Sequence, residues 1–112
     1  LLDDGTITRL GESAFRLTSA EPFLRWLSMN AAGMDVGIAE RTDEVAALSL
    51  QGPKSRAVLN RCCASPLDGL KFFRMAPNRL AGRPVSISRT GYTGDLGYEI
   101  WVDAVDALPV WD

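Results

Sequence analysis

Glu99 is the residue in this sequence best placed to do chemistry. It stands between Tyr98 and Ile100 in a run, Tyr-Glu-Ile-Trp-Val, whose two faces are otherwise apolar. An ionised carboxylate buried without partners is costly, so such a side chain either faces solvent at a sheet edge or meets donors. A planar ligand presenting two adjacent N–H groups would satisfy it with a bidentate pair, as a guanidinium does. The residues alone leave both readings open. Just upstream, Gly91, Gly94 and Gly97 recur at every third position. Glycines so placed permit positive φ angles or the close approach of another chain or a ligand. Their spacing is not G-x-G-x-x-G and no lysine follows, which argues against a phosphate loop. An elaborate hairpin connection and a ligand-holding loop remain.

Other chemistries are thinly supplied. The chain of 112 residues contains no histidine, so Ser-His and Cys-His dyads are absent, and carboxylates or a bound cofactor must carry any reaction. Its two cysteines, Cys62 and Cys63, are adjacent. Neighbours on a helix point in different directions, so they read as free, buried or half-buried thiols of a reducing compartment. Zinc and iron–sulfur centres need more ligands. A net charge of −2 argues against a nucleic-acid partner. No apolar run approaches the roughly 20 residues that span a bilayer. The chain opens at Leu1 without methionine and ends at Asp112 within an expected helix, so residues 1–112 read as part of a longer protein.

The elements that must position Glu99 follow from pattern and punctuation. Alternation over Thr6–Leu10 and Ala14–Thr18, joined by Gly11-Glu12-Ser13, predicts a β-hairpin. Pro22 sits where a helix could start, with Ser19 or Glu21 as cap, and Phe23, Leu27 and Asn30 carry it towards Gly33. Met34–Ala39 alternates as a strand, Arg41-Thr42-Asp43 forms a turn, and Val45–Leu50 is a second strand. Gly52-Pro53 should open a helix with an apolar stripe of Val58, Leu59 and Cys62, and Pro53 at its first position. Residues 64–83, with Pro66, Gly69, Pro77 and Gly82, predict mostly turn and loop. Pro84–Arg89 and Tyr98–Val102 read as strands, and Ala104–Trp111 as a helix. The order points to an α+β fold with a ferredoxin-like split β-α-β layout, an antiparallel or mixed sheet with helices on one side.

Three stretches resemble one family. Ser88-Arg89-Thr90-Gly91-Tyr92-Thr93-Gly94-Asp95-Leu96-Gly97-Tyr98-Glu99-Ile100 is similar to the signature of the glycine cleavage T-protein (aminomethyltransferase) and its folate-binding superfamily. Ala46-Ala47-Leu48-Ser49-Leu50-Gln51-Gly52-Pro53-Lys54-Ser55 is similar to that family's "ALxLQGPxS" segment. Leu2-Asp3-Asp4-Gly5-Thr6-Ile7-Thr8-Arg9-Leu10 looks like its double-aspartate strand, with Gly5 where the family more often has an apolar residue. Order and separation agree, and the likeness runs nearly the length of the chain.

The resemblance implies a partial folate-binding region over residues 1–112, within a larger multidomain folate-binding protein whose cofactor is tetrahydrofolate. The T-protein takes an aminomethyl group from a lipoyl carrier protein, passes the one-carbon unit to tetrahydrofolate and releases ammonia. Related folate domains are fused to, or partnered with, flavin modules that oxidise sarcosine or dimethylglycine. Carried over by position, Glu99 binds the pterin, whose edge offers a ring N–H beside an exocyclic amine. Tyr92 matches a tyrosine lining the folate site, with a hairpin-loop tyrosine packed on the core as the alternative. Asp4 matches the catalytic aspartate, although Asp3-Asp4-Gly5 alone would read as a turn. Thr6 falls where the family lines the site. Gln51 is expected to bond exposed backbone at the helix start. A non-catalytic folate-binding regulator and a structural domain that has lost its site are the competing readings. The branch concerned with iron–sulfur proteins carries a Gly-Cys-Tyr loop that this chain lacks. The expected compartment is the bacterial cytoplasm or, in a eukaryote, the mitochondrial matrix.

Overall fold

The computed structural model describes residues 4–21 and 23–112, which fall into two compact units, one up to Glu40 and one from Arg41 onward. The first contains β1 (Gly5–Arg9), β2 (Phe15–Ser19) and α1 (Leu24–Asn30). The second contains β3 (Val45–Gln51), α2 (Ser55–Cys62), β4 (Met75–Leu80), β5 (Arg83–Ser88), β6 (Gly97–Asp103) and α3 (Ala107–Trp111).

In the first unit the expected hairpin forms, with antiparallel pairs from Gly5↔Ser19 to Arg9↔Phe15. Gly5 is therefore a strand residue rather than part of a turn. A side chain there would collide with the Thr18 carbonyl, because the partner strand runs too close. The helix also forms, but neither Ser19 nor Glu21 caps it. Phe23 stands at the N-cap with no side-chain bond, and the Ser19 hydroxyl donates instead to the Glu21 carbonyl at 2.8 Å. Pro22, the expected first residue of this helix, lies outside the described residues. Met34–Ala39 does not form a strand, and its side chains are exposed. Alternation supplies a face, but a strand also needs a neighbour to take its backbone groups, and none of the described strands pairs with this segment.

The second unit is a four-stranded sheet in the order β3-β6-β5-β4, antiparallel at every step. The α+β class and the antiparallel sheet are as expected. The split β-α-β layout is not: α2 connects β3 to β4, and these run antiparallel on opposite edges with β6 and β5 between them. No helix separates β5 from β6, so β4, β5 and β6 form a meander, and only β3 returns by a long connection. β4 occupies part of the stretch expected to be loop. Its Pro77, paired with Ser86, is tolerated because β4 is an edge strand with one row of backbone groups facing outward. Ala81 and Gly82 close the β4–β5 hairpin with φ of 49° and 74°, the positive pair that a two-residue turn needs to match strand twist.

One face of this sheet makes the core. Leu48, Leu50, Tyr98, Ile100, Val102, Val85 and Ile87 point to the same side, where they meet Leu59 of α2, Leu67 and Val110 of α3. Of the stripe expected on α2 only Leu59 is buried, with Ser55 one turn before it; Val58 and Cys62 are exposed. Each fully buried aliphatic side chain contributes about 1.5–3 kcal/mol of transfer free energy. Tyr98 is fully buried, and its hydroxyl accepts a hydrogen bond from Arg56 Nε at 2.9 Å. That bond holds the Arg56 guanidinium above its ordinary pKa.

Candidate functional site

Strand alternation sends Glu99 and Trp101 to the side of the sheet away from the core. Glu99 pairs with Ser49 on β3 and Ser88 on β5, so it sits in the interior of the sheet, half-buried, and not at an edge. Its donors come from the same face. Thr90 Oγ1 donates to Glu99 Oε2, Ser88 Oγ lies 2.8 Å from Thr90 Oγ1, and Trp101 Nε1 donates to Ser88 Oγ at 3.1 Å. Among the described residues no donor reaches Glu99 Oε1. The site therefore holds a carboxylate fixed at one oxygen and open at the other.

The glycine-rich loop is shaped by a side chain from another strand. Of its three glycines only Gly94 takes a positive φ, 80°. Side chains at Gly91 or Gly97 would run into the amide of Gln51, which occupies the space between them. From there Gln51 Nε2 donates to Ser49 Oγ at 2.9 Å and approaches the carbonyls of Thr90 and Tyr98, each at 3.4 Å. Gln51 Oε1 accepts from Thr93 Oγ1 at 3.4 Å. Gln51 thus serves the loop, not the helix start as its place in the sequence suggested. Gly52, with φ of 118°, donates its N–H to the Leu96 carbonyl at 2.7 Å, and Ser55 Oγ donates to the same oxygen at 3.2 Å. Pro53 precedes the helix: Ser55 N–H returns to Gly52 O at 3.0 Å in a tight turn, and Lys54 takes the N-cap. The two most distinctive sequence stretches are one structural piece.

The expected site residues lie in different parts of this arrangement. Tyr92 is at the loop tip and 96% exposed, so it is not packed on the core. Beside it a depression of about 270 Å³ is lined by Phe72, Arg89, Thr90, Gly91, Asp95 and Leu96, among others. Asp4 is exposed immediately ahead of β1, and Thr6 is half-buried opposite Thr18; both belong to the first unit. Among the described residues no cluster of three or more acidic or cysteine side chains could hold a metal, and no helix is long and apolar enough to cross a membrane.

Residues 1–112 match the family described as the GCVT N-terminal domain. The chain belongs to that family. It is 36% identical over 115 residues to the aminomethyltransferase of Streptomyces avermitilis, covering 99% of this chain and 31% of the relative. To the aminomethyltransferase of Bacillus subtilis it is 37% identical, covering 98% of this chain and 32% of the relative. A heterotetrameric sarcosine oxidase from Corynebacterium sp. U-96 superposes with a TM-score of 0.72 at 26% identity, over 93% of this chain and 54% of that one. This GCVT domain thus spans about a third of the length of the curated relatives it matches.

Several residues of the site were not singled out from the sequence. Ser88, Thr90 and Trp101 read as ordinary strand and loop residues until the β5–β6 register places them around Glu99. Trp101 carried a usable signal, since it lies two positions after Glu99 and so on the same face. Ser88 and Thr90 carried none, because cross-strand partners are set by register.

Proposed function

We propose that residues 1–112 form part of the folate-binding region of a tetrahydrofolate-dependent one-carbon transferase of the aminomethyltransferase kind. The observation that carries this reading is Glu99 in the interior of the sheet, held by Thr90 at Oε2 and open at Oε1. That acceptor set fits a pterin edge, where a ring N–H adjoins an exocyclic amine. Exposed Tyr92 offers an aromatic plane to the ligand, and Thr6, by the family resemblance, is a further folate-binding residue. Asp4 would orient the reactive nitrogens of the ligand and stabilise positive charge developing near them. Tetrahydrofolate, when bound, supplies the nitrogens that accept the one-carbon unit.

Relatives named aminomethyltransferase, matched over nearly all of this chain, support an aminomethyl group as the unit transferred; in this reading its donor is a lipoyl carrier protein and its compartment the cytoplasm. Similarity to a sarcosine oxidase supports a second reading, in which a partner or fused flavin module generates the one-carbon unit and this domain captures it.

Calorimetry on the intact protein tests the ligand. Glu99→Ala is expected to weaken tetrahydrofolate binding by about 10²- to 10⁴-fold, the range that two charge-assisted hydrogen bonds span. Unchanged affinity would overturn the assignment. Asp4→Asn is expected to leave affinity within about threefold while turnover falls by about 10²-fold or more. Undiminished turnover would remove Asp4 from the reaction.

A further inference from the structure

We infer that Trp101, Ser88 and Thr90 form a one-way chain of hydrogen-bond donors that aims Glu99, and that this chain sets the site's selectivity for ligand edges carrying two N–H groups. The inference rests on the ligand reading of Glu99 proposed above.

The direction of the chain follows from proton counting. An indole N–H can only donate, and an ionised carboxylate can only accept. Between these two ends stand two hydroxyls with one proton each. Thr90 lies within bonding range of both Glu99 Oε2 and Ser88 Oγ, and it donates to the carboxylate. Its remaining contact with Ser88, at 2.8 Å, must therefore be one in which Ser88 donates. Having given its proton to Thr90, Ser88 keeps lone pairs for Trp101 Nε1 at 3.1 Å. The other acceptor near Ser88, the Glu99 carbonyl at 3.4 Å, is too distant to compete well. Every proton then has one place to go, and each bond polarises the next towards the carboxylate.

Thr90 fixes the rotation of the carboxylate, leaving Oε1 and the spare lone pair of Oε2 as a fixed pair of acceptors. A ligand edge with two adjacent donors satisfies both. An edge lacking one donor leaves an acceptor desolvated and unpaired, which is the situation in which hydrogen-bonding sites discriminate most strongly. Ser88, Thr90 and Trp101 are positioning residues, because they act through Glu99.

The test compares two ligands on the intact protein: tetrahydrofolate and its analogue lacking the exocyclic pterin amine. The wild-type protein is expected to prefer the amine-bearing ligand by about a hundredfold. Thr90→Val, similar in shape but without the hydroxyl, should reduce that preference about tenfold, and Thr90→Ser should restore it. A merely structural role would weaken both ligands together and leave the ratio intact, which would overturn the inference. The Trp101 indole N–H resonance gives a second readout. It should move in Thr90→Val as the chain loses its polarising end and return in Thr90→Ser; a stationary signal counts against the chain. If Thr90→Val folds poorly, Ser88→Ala is measured in its place, with a smaller loss of preference expected. Glu99→Gln separates the two levels. If it leaves the preference unaltered, the ligand reading of Glu99 fails. If it abolishes the preference while Thr90→Val does not, only the chain fails.

Discussion

Tyr98 and Glu99 are neighbours in β6, yet they belong to different halves of the molecule's physics. Tyr98 and its alternates Ile100 and Val102 face the helices and are buried. Glu99 and Trp101 face the other way, beside serines from both adjacent strands, and are only half-buried. The first face has a full complement of apolar partners and supplies stability. The second has a line of polar groups that ends in a carboxylate whose Oε1 no donor among the described residues reaches. One strand therefore does two jobs by alternation, and the two should be separable by mutation: changes on one face should move the melting temperature, and changes on the other should move ligand affinity.

The strongest way to break that separation is Ile87→Ala. Ile87 is fully buried on the core face, opposite Ile100. Its truncation should cost about 2–4 kcal/mol in denaturant unfolding of the intact protein. A loss of ligand selectivity larger than the lost stability explains would show that the two faces are coupled.

A smaller effect is expected where the faces share backbone. Gly97→Ala drives a methyl into the Gln51 amide and should destabilise by about 1–3 kcal/mol. Because the obstacle is a side chain, combining it with Gln51→Ala should recover part of that cost in a double-mutant cycle. Strict additivity would mean that the glutamine does not fill the glycine space.

Far from the polar face, Ala81→Asn should raise stability by about 0.5–1 kcal/mol without affecting binding. Ala81 is held at φ of 49°, a conformation that asparagine tolerates better. The smallest effect belongs to the adjacent thiols. Cys63 is half-buried, and its burial, with the neighbouring Cys62, pushes its pKa up. At mildly alkaline pH iodoacetamide should therefore modify exposed Cys62 first. The difference should narrow as pH rises and Cys63 ionises, as read by mass spectrometry.

Much of this was legible in the sequence, for reasons that particular residues make plain. The hairpin, β3, β5 and β6 follow from alternation and turn chemistry, and Glu99 stood out because an acid interrupts an apolar run. β4 was hidden by Pro77, whose usual meaning as a strand breaker depends on the strand being interior. Met34–Ala39 misled in the opposite direction: it has the period of a strand but pairs with none of the described strands. The donors around Glu99 and the place of Gln51 depend on which residues face one another across strands. That is a property of register, which no local pattern encodes.

The seating of Gln51 between two glycines has a practical consequence for anyone who would transplant this loop. Moving Ser88–Ile100 alone into a foreign scaffold would carry the acid and the bends but leave a void where the carboxamide belongs, and the loop would slump into it. The portable unit is two pieces of chain, taken together.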